Sequence, residues 1–233
     1  MTDLDGAHVL LVGATGGLGS ALATAFAAAG ARLSLAGRSA ESLAALTDAL
    51  PDGTVLGTSQ GDLTDAATPA RFVTEAGERG ELTGVVYAAG VVAFGEVVDL
   101  PPEVLETLIA VNLVAPIRLA AAAVPVLPAG SFLVNLSAIV SEMPMKGMAA
   151  YSATKTGLTG FDRALSGELR RRNIRVVDAR PPHTETGLVD RALAGTAPRL
   201  GQGLTAEAVA QRIVRAVKED TGELPAAAFS AEG

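Results

Sequence analysis

Val12-Gly13-Ala14-Thr15-Gly16-Gly17-Leu18-Gly19-Ser20 is the stretch on which the fold turns. An apolar run, residues 7–12, enters it, and an alanine-rich stretch, residues 17–29, leaves it. Glycines at 13, 17 and 19 permit a tight turn and let the backbone approach a pyrophosphate, whose charge would meet free N–H groups and the positive end of a helix dipole. The spacing differs from G-x-G-x-x-G, and glycine clusters also serve as plain strand-to-helix turns. Its place after the first strand of an alternating chain favours the dinucleotide reading.

Outward from the loop, short apolar runs alternate with longer Ala/Leu-rich stretches. Strands are predicted over residues 7–12, 32–36, 54–58, 84–87, 131–136 and 174–178, and helices over 17–29, 40–50, 65–78, 102–127, 149–172 and 205–219. Nearly continuous apolar strands suit burial on both faces, so the class is α/β: a Rossmann-type doubly wound parallel sheet with helices on both sides. Gly30 stands where a left-handed C-cap is needed, and Pro101-Pro102 suits a helix start. Pro116 and Pro125 predict a kink or an early end in the fourth helix. In the tail 222–233, Leu224 and residues 226–229 suggest a short last strand. With no repeat, linker or shift in composition, residues 1–233 read as one domain.

Composition narrows the chemistry. Of 233 residues, 49% are hydrophobic but only 3% aromatic, which excludes a disordered chain and argues against stacking on single-stranded nucleic acid. The chain has no Cys and only His8 and His183, leaving little material for a metal site or a Ser-His-Asp triad. Eighteen bases against 25 acids, net charge −7, disfavour nucleic acid or an anionic membrane as partner. The acidic start Met1-Thr2-Asp3-Leu4-Asp5 does not resemble a signal peptide, and a cytoplasmic location is expected. Mean hydropathy is +0.37, yet the apolar runs read as broken short of the ~20 residues a membrane span needs.

The second strand ends in Ala36-Gly37-Arg38-Ser39. No carboxylate stands there to hold a ribose 2′-hydroxyl, whereas the Arg38 guanidinium suits a 2′-phosphate, pointing to NADP(H). The competing reading is an ordinary surface arginine. Asp62 is placed either to accept from an adenine amino group or to cap the next helix.

Tyr151-Ser152-Ala153-Thr154-Lys155 places a phenol and an ammonium four positions apart, on one face of a helix. The chain has only two Tyr and three Lys, so an accidental pairing carries less weight. A neighbouring ammonium stabilises a phenolate, which makes Tyr151 a plausible proton donor to a carbonyl oxygen; the competing reading is a packed Tyr beside a solvated Lys. Together with the glycine loop, Asp62, the Ala88-Ala89-Gly90 turn, Asn112, Asn135-Leu136-Ser137 and the 181–186 segment, the pair resembles the short-chain dehydrogenase/reductase family over nearly the whole chain.

The resemblance implies that Tyr151 exchanges the proton, that Lys155 holds the nicotinamide ribose and lowers the Tyr pKa, and that Asn112 holds a relay water. It implies a cofactor set of Gly13, Thr15, Gly16, Gly17, Leu18, Gly19, Arg38, Ser39, Asp62, Leu63, Ala89, Gly90, Tyr151, Lys155, Pro181, Thr184 and Thr186, with Thr186 on the carboxamide. It also implies a homodimer or homotetramer packed through the Asn112 and Tyr151 helices. Tyr87 and Ala88 replace two expected Asn, and Pro182 an expected Gly. The main departure is Ala138, thirteen positions before Tyr151, where the family has a substrate-orienting Ser. Three readings stand: Ser137 or Ser141 substitutes, with Ser137 favoured; the chain is an inactivated variant; or it is naturally weak.

Substrate contacts are expected from residues 91–95, 139–150 and 183–203, the last as a glycine-bearing lid. Met143, Met145 and Met148 suit an adaptable apolar wall or core filler. Arg180 and His183 suit either a substrate acid or a loop anchor. The reading is an NADP(H)-dependent carbonyl reductase or alcohol dehydrogenase of small molecules, using no metal. The alternatives are a catalytically impaired NADPH-binding sensor or scaffold, and a net-neutral reaction such as epimerisation or dehydration.

Overall fold

A computed structural model describes residues 2–229. Strands β1 (His8–Val12), β2 (Arg32–Gly37), β3 (Val55–Gln60), β4 (Gly84–Tyr87), β5 (Phe132–Leu136) and β6 (Arg175–Ala179) alternate with α1 (Gly17–Ala28), α2 (Ala40–Ala49), α3 (Thr68–Gly77), α4 (Pro102–Ile109), α5 (Ala115–Ala123) and α6 (Ala149–Leu169). A two-residue strap, β7 (Thr184–Glu185) with β8 (Leu204–Thr205), then α7 (Ala206–Lys218) and β9 (Glu223–Leu224) follow. The main sheet is parallel throughout, in the order β3-β2-β1-β4-β5-β6-β9. The order reverses between β1 and β4, so a crevice opens at their carboxyl ends, where ligands of such sheets bind.

Alternating side chains build the two layers. Val9 and Leu11 of β1 join Leu22, Phe26, Ile213 and Val217 of α1 and α7. Leu10 and Val12 face the other way, toward Phe72, Leu119 and Leu165 of α3, α5 and α6. Every residue of β1 is buried, as expected of a central parallel strand.

The fourth helical stretch, 102–127, breaks and ends where its prolines lead one to expect: a π-helical turn, Ala110–Val114, stands just before Pro116, and Pro125 lies in the 3-10 turn that ends the stretch. Pro116 has no N–H to donate to the turn before it, and there the Val111 carbonyl accepts from the Tyr87 hydroxyl. Two other expectations are corrected. Residues 102–126 are, contrary to expectation, long and apolar enough to cross a membrane by composition; in this fold α5 packs on α3, and α4 and the π turn pack on α6. Finally, β9 is shorter than expected: Glu223 and Leu224 pair with β6, while Ala226–Phe229 form a 3-10 turn. The part of the tail after 229 lies outside the described residues.

Candidate active site

At the crevice, Gly13 takes φ +81°, and a Cβ there would lie 2.5 Å from the Ala89 amide nitrogen. A Cβ on Gly19 would collide with the Gly13 carbonyl, and one on Gly17 would lie 2.7 Å from the Thr186 carbonyl. Gly16 caps α1 with no side-chain hydrogen bond, and the first turn holds no acid. An uncapped 12-residue helix therefore leaves the amides of its first turn without a side-chain partner, which fits a pyrophosphate. Close packing dictates the glycines: Ala89, Thr186 and the Gly13 carbonyl stand where a Cβ would go, and Thr15 lies beside Gly37. Leu18 packs on the layer of α1 and α7, and Leu63 on the layer of α3, α5 and α6.

Arg38 projects exposed from the end of β2, its carbonyl held by Gln60 Nε2 at 3.1 Å. Ser39 caps α2, accepting from the Ser42 amide. Asp62 Oδ1 accepts from the Thr64 amide and hydroxyl, both at 2.9 Å, and α3 starts only at Thr68. Of its two readings, the helix cap is not taken up. The Thr64 amide holds the Asp62 carboxyl below its ordinary value, with the Arg38 charge adding to this.

Tyr151 and Lys155 stand one turn apart on the buried face of α6. Lys155 Nζ lies 5.9 Å from the Tyr151 ring centroid and donates to the Leu136 carbonyl at 2.6 Å. Burial pushes the phenol up to about 12 and the amine down to about 8; Asp178 and Asp162 work against the latter shift. Gly90 lies against both Lys155 and Asn112, its Cβ position 3.7 Å from Nζ and 3.6 Å from Asn112 Oδ1. Asn112, inside the π turn, donates to the Val91 carbonyl and accepts from the Val91 amide, each at 2.9 Å, locking the loop after β4 to the helix. The replaced Asn position is filled by buried Tyr87, whose hydroxyl donates to the Val111 carbonyl at 2.6 Å.

The structure does not bring Ser137, the favoured substitute for the missing serine, into the Tyr151 cluster. Ser137 continues β5 and accepts a hydrogen bond from Thr159 Oγ1 at 3.1 Å, within the interface with α6 and beside Asp178. Backbone at Ala138 is extended (φ −169°, ψ 165°), so consecutive side chains point to opposite sides. Ser141 donates to the Ala138 carbonyl at 2.8 Å, closing a turn. Ala138 itself packs in the same apolar cluster as Tyr151 and offers only a methyl.

Arg180 is an anchor, not a reader of substrate acids: buried, it meets Glu142 and Asp178 at 3.2 Å and also Glu223, tying the loop after β5 to β6 and β9. His183 Nε2 lies 3.4 Å from Glu185. His8, at the start of β1, is buried against the Ser34 hydroxyl and the Gly80 carbonyl. Thr184 bonds its hydroxyl to the Pro182 carbonyl, and the Pro181 carbonyl accepts from the Ile139 amide, so this segment is stitched to the loop after β5. Among the described residues no group of acids and histidines is arranged to hold a metal.

Sequence reasoning missed Asp162 and Asp178, which lie buried behind Lys155. Asn135 Nδ2 donates to Asp162 Oδ1 at 2.6 Å, leaving Oδ2 without a partner. The available signal was an acid within an apolar strand, Val176-Val177-Asp178-Ala179, and another two helical turns after Lys155. Desolvation pushes Asp162 from 3.8 to about 8, and the Asp178 charge adds to the rise. A carboxyl whose folded pKa is raised binds its proton more tightly in the fold, so its contribution to stability is present below 3.8 and is lost as pH rises toward 8. Asp162→Asn keeps the acceptor for Asn135 and removes the titration. The wild-type melting temperature is expected to fall more steeply than that of the variant between about pH 4 and pH 8; parallel curves by calorimetry would contradict the buried titration.

Comparison with known proteins agrees with this architecture. Residues 7–196 match the sequence pattern described as short chain dehydrogenase. The chain is 30% identical to the Bos taurus protein named dehydrogenase/reductase SDR family member 7B, over 91% of this chain and 70% of that one. It superposes with a TM-score of 0.85 on a short chain dehydrogenase from Burkholderia cenocepacia in complex with NADP, 25% identical and covering 98% and 100% of the two chains. A short chain dehydrogenase/reductase from Burkholderia phymatum in complex with NAD shares the fold at TM-score 0.88 and 22% identity, covering 97% and 90%. The glycine crevice, the Tyr151–Lys155 pair and these likenesses place the chain in the short-chain dehydrogenase/reductase family of oxidoreductases.

Proposed function

We propose that the chain is an NADP(H)-dependent carbonyl reductase or alcohol dehydrogenase acting on a small carbonyl or alcohol substrate. The observation that carries this is the convergence of Tyr151, Lys155, Asn112 and Gly90 at the carboxyl end of the sheet, facing the glycine crevice. When bound, a nicotinamide supplies or accepts the hydride. The chain's own groups manage the proton: Tyr151 gives it to the substrate oxygen in reduction and takes it back in oxidation, while cationic Lys155 stabilises the phenolate and hydrogen-bonds the ribose. A phenol raised to about 12 by burial needs that ammonium to ionise near neutrality. The amides of α1 and the Thr186 segment hold the diphosphate and nicotinamide ends. Asp62 serves the adenosine end, Gly90 lies between Lys155 and Asn112, and Asn112 keeps a relay water near Lys155.

Arg38 is the group for the 2′-phosphate, its exposed guanidinium having no competing acid at the end of β2. Arg38→Ala is expected to weaken NADPH by about 10- to 100-fold, the worth of a hydrogen bond to a charged group, and NADH much less. Equal losses in a fluorescence titration would refute the contact.

The methyl at Ala138 favours a second reading, an NADPH-binding sensor or scaffold. Oxidation of NADPH across a broad panel of ketones and aldehydes separates the two, since a sensor binds NADPH and leaves it unchanged. The same account assigns residues 183–203 as the lid over one domain, a cytoplasmic setting, and a homodimer or homotetramer joined through α4 to α6.

A further inference from the structure

Nine large hydrophobic residues stand exposed among the described residues, and their placement is not scattered. Val97 and Val98 lie on the loop after β4, Met143 and Met145 on the loop after β5, and Leu193 and Leu200 on the segment after β6. Six of the nine therefore sit on the three segments that surround Tyr151. Val98 is 82% exposed, Val97 69% and Met143 67%, so they are not core filler.

These segments form one unit. The Phe94 amide donates to the Ala194 carbonyl, Gly95 to Gly147, and Leu193 to Val92, each at 2.8 to 2.9 Å. Beneath them lies an apolar cluster of Val92, Phe94, Val104, Leu108, Val140 and Tyr151, with Ala138 packed on it. A cleft of only about 10 Å³, room for a single water, lies beside it between Phe94, Val97, Leu100 and Met148, with Glu96 its one charged lining residue. It is far too small to enclose a ligand, for which pockets of roughly 300–1,000 Å³ are usual, so an apolar body would have to lie along the exposed rim.

We infer that the substrate of this site is an uncharged carbonyl compound with an extended apolar body, its carbonyl at Tyr151 and its far end lying along the rim of Val97, Val98, Met143 and Met145. This rests on the oxidoreductase reading above. Charge is compatible with it: the loops after β4, β5 and β6 carry five acids (Glu96, Asp99, Glu142, Glu185 and Asp190) against four Lys and Arg. Of these four, Arg180 is spent on three carboxylates and Arg191 donates to the Thr186 carbonyl, while Lys146 and Arg199 are exposed. An anionic substrate would meet Glu96 at the cleft. Exposed apolar residues gathered on one set of loops mark a place of contact, and these stand on the loops whose buried cluster holds Tyr151.

The test is calorimetric titration of methyl ketones from butanone to decanone into the protein saturated with NADP⁺, beside NADPH oxidation with the same series. Affinity is expected to rise about threefold to fourfold per methylene. In the double variant Val98→Ser, Met143→Gln the slope is expected to flatten for the longer ketones while short-ketone affinity stays unchanged. A flat series in the wild type, tighter binding of keto acids or polyhydroxylated ketones, or an unchanged slope in the variant with loss of a dimer by sedimentation would each overturn the inference. A steep binding series without NADPH oxidation would keep the apolar site and remove the reductase reading. Rapid oxidation with a flat series would do the reverse.

Discussion

Tyr151→Phe is expected to lower kcat for carbonyl reduction by about 10²- to 10⁴-fold, the usual contribution of a positioned proton donor. The phenol is 7% exposed and packs on Val92, Phe94 and Val140, so removing one oxygen leaves the cluster's apolar contacts in place. Lys155 stays anchored on the Leu136 carbonyl, which does not involve the phenol. NADPH affinity is therefore expected to change little, and a melting temperature close to wild type would show that the loss is chemical. Retained turnover with normal NADPH binding would remove Tyr151 from the mechanism.

Ala138→Ser is expected to move activity the other way, raising kcat by about 10²- to 10³-fold, the range measured when one donor to a developing oxyanion is removed elsewhere. The extended backbone at 138 turns its side chain away from the interface that Ser137 occupies, into the cluster shared with Tyr151. A hydroxyl there could donate to the substrate oxygen without displacing any existing hydrogen bond. An unchanged rate would show that another group already fills this role. A rise from no measurable turnover would identify the wild type as a binding protein that has lost one donor.

The alternation of apolar runs was enough to locate the six main strands, because each carries its own buried sequence, as Val9-Leu10-Leu11-Val12 does. The parts that were not legible depend on partners distant in sequence. Pro116 announces a break but not its form: the π turn is stabilised by Asn112, which reaches 21 positions back to Val91. Nor does the sequence around Asp62 show that its carboxylate turns to Thr64 rather than starting a helix. Tyr151 and Lys155 were readable because their spacing matches one helical turn. The placement of Ser137 was not legible because adjacency in sequence hides the alternation of an extended backbone, which sends neighbours to opposite faces. The role of Arg180 was equally hidden, since its acids come from residues 142, 178 and 223.

The central claim is that Tyr151, held beside Lys155, protonates a carbonyl oxygen as reducing equivalents arrive from a nicotinamide. It is tested most directly by incubating the protein with a methyl ketone and NADPH carrying deuterium at its transferable position, and reading the alcohol by mass spectrometry. The account predicts one deuterium on the carbinol carbon for each cofactor oxidised, and none of this product with Tyr151→Phe. Unlabelled alcohol, or labelled alcohol formed equally well by the variant, would contradict it.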